Sequence, residues 1–256
     1  MSLKKIILCL ILLVPIFVSA EEDEGRIVAE EEKYYKTVTV LNNSSVLQRA
    51  NLGEMSSITT EITKFEYDSA PVENYNGNAR STGESTDITI QTTYKKMKST
   101  IREYYGAYRY KNVLTWKNIP STRSYDIIAL GYYASVKPID SVFFEQDYCT
   151  SSDSCYTSSS YYEYNGANGS AAVFYLPSGT LTSLEQSLRI DMEKTNSSST
   201  IVSQVAAADY SHATSSISYS NAKKFTVDTG GIRLNDSIES YYDSIGVARA
   251  SWEGEW

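Results

Sequence analysis

The sequence predicts an all-β protein, an antiparallel β-sandwich or jelly-roll-like fold of roughly a dozen short strands. Three observations carry this reading. Apolar and polar residues alternate in short stretches along most of the chain. Turn residues (Gly, Pro, Asn, Asp) recur about every ten residues. No convincing long helical period occurs, and the 22 tyrosines suit half-exposed strands.

Residues 1–20 read as a secretory signal peptide. Lys4 and Lys5 form its charged start, Ile6 to Val18 its apolar run, and Val18-Ser19-Ala20 a small-residue cleavage site. The run is short for a membrane span, so no stable membrane insertion is expected after cleavage. Residues 21–33 (EEDEGRIVAEEEK) read as an acidic disordered leader. Residues 34–256 read as a single all-β domain.

Within that domain Tyr34–Leu41 alternates as a strand. Asn42 to Ser45 turn the chain, and Val46-Leu47 starts another strand. Met55–Tyr67 again alternates with period two. Residues 68–86, with Pro71 and Asn76-Gly77, form a long loop. Asp87–Met97 alternates. Ile101–Tyr110 fits a short helix or a Tyr-rich strand broken at Gly106, and its tyrosines favour the strand. Val113–Trp116 precedes the turn at Pro120.

Ile127-Ile128-Ala129-Leu130 is apolar on both alternating faces. It is expected to be a central strand covered on both sides, extended by Tyr132 and Tyr133. Further strands are expected near Val142–Phe144, Tyr156–Tyr164, Ala171–Leu176, Ser187–Lys194, Ile201–Ala208, Thr214–Tyr219, Phe225–Val227, Ile232–Leu234 and Ile245–Trp252.

The style of RSYDIIALGY (123–132), ADYSHATSSISYS (208–220) and SYYDSIGVARASWEGEW (240–256) resembles that of secreted Ser/Thr/Tyr-rich proteins of Gram-positive bacteria, a group with no established activity. The resemblance implies an extracellular or cell-surface setting and carries no site residue.

The formal net charge is −8 at pH 7, and loss of Lys4 and Lys5 makes it more negative. An acidic chain argues against nucleic acid and anionic membrane as partners. With Cys9 in the expected signal peptide, Cys149 and Cys155 remain. In an oxidising compartment they read as a local disulfide shaping a hairpin tip.

A single histidine, His212, limits the chemistry. Any Ser-His-Asp hydrolase would need it, yet no nucleophile-elbow motif is present. Glu145 and Asp147 alternate on one strand face beside Phe143, Phe144 and Tyr148. They are the candidate acid–base pair of a carbohydrate-active hydrolase, or else a solvated strand edge. Asp140, Asp147 and Asp153 are weak candidates for calcium, and no other cofactor is indicated.

Aromatic residues offer a binding surface. Trp116, Tyr132, Tyr133, Trp252 and Trp256 are the candidate anchors for an extracellular polysaccharide or protein. The leading expectation is a non-enzymatic exported binding protein. A hydrolase using paired carboxylates and a self-associating surface component are the alternatives.

Overall fold

A computed structural model describes residues 25–42, 56–71, 77–79, 88–104, 106–151 and 154–256. The expected signal peptide and the strand at Val46-Leu47 lie outside these residues, as does Asp153. Among the described residues no helix is long and apolar enough to cross a membrane.

The chain begins with β1 (Arg26–Asn42), β2 (Ser56–Ile62), a short helix α1 (Lys64–Ser69), β3 (Gly77–Ala79), β4 (Ile88–Tyr104) and β5 (Ala107–Trp116). It continues through β6 (Tyr125–Gly131), β7 (Val136–Pro138), β8 (Phe143–Ser151), β9 (Ser154–Ser158), β10 (Tyr162–Gly166) and β11 (Gly169–Tyr175). Then come β12 (Ser183–Lys194), β13 (Ser203–Ala213), helix α2 (Tyr219–Ala222), β14 (Phe225–Asp228), β15 (Gly231–Leu234), β16 (Tyr242–Ser244) and β17 (Ala248–Glu253).

The strands pair antiparallel throughout. The larger sheet runs β2-β1-β4-β5-β12-β8-β9, with β3 beside β4 and β7 beside β12. The smaller runs β10-β11-β6-β13-β16, with β17 also on β13. The two sheets bury the main core between them. Met97, Ile101, Tyr110 and Leu114 come from the larger sheet, and Ile128, Leu130, Phe174 and Tyr210 from the smaller. Asn112 of β5 ties the layers, its Nδ2 donating at 3.0 Å to the carbonyls of Ala129 and Asp209.

The all-β sandwich is as expected, and so is the position of Ile127–Leu130. This run is the middle of β6, bonded on one side to β11 and on the other to β13. Ile128 and Leu130 face the main core. Ile127 and Ala129 face a second core under α2 and the β14–β15 hairpin, with Ile217, Phe225 and Val227. That hairpin presses onto Gly131 and Gly169, which are partners in register. A Cβ on Gly131 would lie 2.0 Å from the Asp228 carbonyl oxygen, so the close approach requires glycine there.

Several expectations are corrected. Residues 26–33 are not a disordered leader but the first part of β1. Their acidity is matched from another strand: Glu32 pairs with Lys96 at 3.3 Å, and Glu30 with Lys98 at 2.9 Å. A rule based on local composition does not see lysines so far along the chain. Only Ser56–Ile62 of the expected Met55–Tyr67 strand is strand; Lys64 to Tyr67 belong to helix α1, opened by a capping box in which Thr63 and Glu66 satisfy each other's backbone N–H. The expected strand Thr214–Tyr219 is a connection into α2, capped by Ser218. Tyr156–Tyr164 is split between β9 and β10. Strand lengths also exceed the expectation, since β1 and β4 each have 17 residues.

The Ile101–Tyr110 ambiguity resolves to strand. β4 and β5 form a hairpin turning at Gly106, whose φ of 81° favours glycine.

Candidate functional site

A band of tyrosines crosses one end of the smaller sheet. Tyr125 starts β6, Tyr175 ends β11, Tyr162 starts β10 and Tyr219 starts α2. Tyr125 packs edge-on to Tyr175, with centroids 5.1 Å apart, and lies 5.3 Å from Tyr219. Tyr219 meets Tyr162 edge-on at 6.2 Å. These rings, with Ser158, Ser160 and Tyr161, line an open depression of about 430 Å³.

A second depression, of about 310 Å³, is lined by Gln146, Tyr148, Ser158, Tyr175 and Pro177. Tyr175 and Ser158 line both, so the two depressions adjoin at the Tyr175 ring and are together termed the groove. Tyr175 is 49% exposed and Tyr219 44%. Lys223 sits 4.4 Å from the Tyr219 centroid and 4.7 Å from that of Tyr162, covering one face of each.

The groove is anchored from within. Trp116 Nε1 donates to Gln186 Oε1 at 3.1 Å, and Gln186 Nε2 to Gln146 Oε1 at 3.2 Å. The ladder ends on the smaller sheet, where Gln146 Nε2 donates to the Tyr175 carbonyl at 3.2 Å. At the far end, Cys149 and Cys155 are disulfide-bonded partners across the β8–β9 hairpin. Tyr148 and Tyr156 are the next pair in register, stacked at 5.5 Å. The bond therefore shapes the hairpin tip, as expected, and holds this stacked pair beside the groove.

Most of the expected anchors lie elsewhere. Trp116 is 4% exposed and belongs to the core. Tyr132 is buried, its hydroxyl 2.9 Å from Ser170 Oγ. Neither can meet a large ligand as folded. Trp252 and Trp256 pack on Tyr108, at 5.3 and 4.5 Å. Trp256 is held in place, with Nε1 donating to the Gly106 carbonyl at 3.1 Å. Tyr133 is exposed but stands outside the groove. Alternation along a strand cannot tell how far the elements over its outer face extend, and Tyr175, in phase with Val173 of the second core, is left exposed at the end of β11.

Glu145 and Asp147 share the outer face of β8, opposite Phe144 and Gln146. Asp147 accepts from the Thr157 hydroxyl at 2.5 Å. Asp140 is exposed in the connection between β7 and β8. Among the described residues no three His, Cys, Asp or Glu side chains gather as a metal site.

His212 is buried at 5% exposure. Its Nδ1 lies 2.9 Å from Oδ2 of Asp126, which also accepts from the Tyr210 hydroxyl and, at 2.9 Å, from the Ala213 N–H. Burial, followed by Asp126, pushes the Tyr210 hydroxyl far above its ordinary value, so it remains a donor. Beside them Lys95 pairs with Asp243. This polar cluster lies between the sheets, where an external substrate does not reach it.

No protein-family model matches the chain, and no curated protein matches it significantly. Among solved structures it is similar to the full-length major pilin SpaD from Corynebacterium diphtheriae. The identity is 12%, the TM-score 0.32, and the match covers 86% of this chain and 77% of that one. A likeness at that score carries no argument about fold or function.

Proposed function

We propose that the chain is an exported, non-enzymatic β-sandwich that binds an extracellular polysaccharide through the tyrosine groove centred on Tyr175. The observation that carries this reading is the run of rings, the half-buried Tyr162 and Tyr125 with the exposed Tyr219 and Tyr175, along one open groove. Tyrosine rings offer flat apolar faces for sugar rings and hydroxyls for hydrogen bonding. Ser158 and Ser160 add neutral donors and acceptors. A groove open along its length suits a chain ligand better than a small molecule, which needs enclosure.

The test is co-sedimentation of the folded protein with cell walls and insoluble polysaccharides, with and without EDTA. Retention that Tyr175→Ala weakens supports the reading, and EDTA sensitivity would add calcium to the site. Absence of retention on every polysaccharide would overturn it and turn attention to a protein partner for the same groove. Turnover of a glycan, abolished by Glu145→Gln, would favour the hydrolase instead.

A further inference from the structure

The buried cluster poses a question that the groove does not answer. Lys95 has no exposed surface, yet its Nζ lies 3.0 Å from Oδ2 and 3.2 Å from Oδ1 of Asp243, itself 4% exposed. The local surroundings are aromatic. Tyr35 and Trp116 flank Lys95 in register on β1 and β5. The amine stands 5.0 Å from the Trp116 centroid and 6.0 Å from that of Tyr210.

Holding two full charges there costs desolvation of both, which their attraction offsets only in part. Joining them as an amide would remove both charges and keep the contact. The site also excludes the water that would hydrolyse such a bond, and it holds amine and carboxyl together at high effective concentration.

We propose that Lys95 and Asp243 condense into an intramolecular isopeptide bond, Nζ to Cγ, joining β4 of the larger sheet to β16 of the smaller. The Lys95 ammonium first gives a proton to the Asp243 carboxylate. The neutral amine then attacks Cγ, and the C–N bond forms. A carboxyl oxygen leaves as water, taking its proton and a second one from nitrogen. The product is a neutral secondary amide, and no oxidant or co-reactant is consumed.

Neighbouring groups suit these steps. Thr59 Oγ1 donates to Asp243 Oδ2 at 3.3 Å, positioned to support charge on that oxygen. His212 is the register partner of Asp243 across β13 and β16, and Asp126 holds its Nδ1. The His212–Asp126 pair is thus a positioning and proton-relay unit beside the reacting carboxyl. Burial works to raise the Asp243 carboxyl, but Lys95, and after it His212, hold it below the usual range. The relay has to counter that preference for the ionised form.

The experiment is the intact mass of the folded, reduced protein, followed by tryptic mapping. A mass about 18 Da below that of the sequence is expected, one water per chain. A branched peptide should join the segments containing Lys95 and Asp243, with no tryptic cleavage after Lys95. Lys95→Met, which keeps an unbranched chain in the core, should show its full sequence mass. Full sequence mass in the wild type, or the same water loss in Lys95→Met, would overturn the bond. Asp126→Asn tests the relay through the pH dependence of water loss after refolding. A rate and pH profile equal to wild type would remove the relay and leave the bond standing.

Discussion

Gln146 Nε2 donates to the backbone carbonyl of Tyr175 at 3.2 Å, tying a strand of the larger sheet to the strand end that carries the central groove ring. Gln146→Ala would leave that carbonyl and Gln186 short of a partner. The expected cost is about 1–2 kcal/mol of stability in urea denaturation, with weaker retention on polysaccharide. Retention equal to wild type would separate the ladder from the site.

Tyr175→Ala and Trp116→Ala are expected to act oppositely. Tyr175 is half exposed, so its loss should reduce affinity about tenfold while stability changes by less than about 1 kcal/mol. Trp116 is core, and its truncation should cost about 3–5 kcal/mol. Binding isotherms measured beside denaturation curves separate the two.

Removing His212 tests whether the chain has histidine chemistry at all. His212→Ala removes one of three donors to the buried Asp126, which keeps the Tyr210 hydroxyl and the Ala213 N–H, and should cost about 2 kcal/mol of stability. Ligand retention under folding conditions should survive. Loss of retention with the fold intact would return this histidine to the functional site.

Asp209 should make stability depend on pH. Burial pushes its carboxyl up to about 7, against the N–H groups of Ile232 and Tyr210 that donate to it. In the unfolded chain it ionises near pH 3.9. Between about pH 4 and 7 the folded state therefore keeps a proton that the unfolded state has lost. Its contribution is full below pH 4 and is lost as pH rises through 7, by on the order of a few kcal/mol. Asp209→Asn should flatten that slope in denaturation curves taken across the window.

Reducing the Cys149–Cys155 bond should loosen the β8–β9 hairpin without unfolding the sandwich. A loop this short contributes about 2 kcal/mol at most. Amide exchange should accelerate in residues 147–157 and stay slow in β6. Global unfolding under reductant would contradict the bond's local role.

The sequence by itself determined whatever depends on near neighbours. Period-two alternation made the chain all-β. The doubly apolar run placed β6 at the centre, and two cysteines with a polar loop between them marked the hairpin tip. Thr63 and Glu66 have the spacing of a capping box, but the alternation around them favours strand, and that reading misses helix α1.

Only the tertiary structure decided which face of each strand met what. Lys95 is in phase with Met97 and Ile101 on β4, so its inward direction follows from alternation. Its partner Asp243 does not, because that contact depends on how two sheets stack. The same holds for Trp116, a candidate surface anchor until Tyr210 and His212 of β13, in the opposing sheet, pack against its ring. Tyr175 reaches solvent at the end of β11, one step beyond Val173 of the second core. Local pattern fixes where a side chain points along its own strand. Burial, pairing and access follow from long-range register and from where the opposing layer ends.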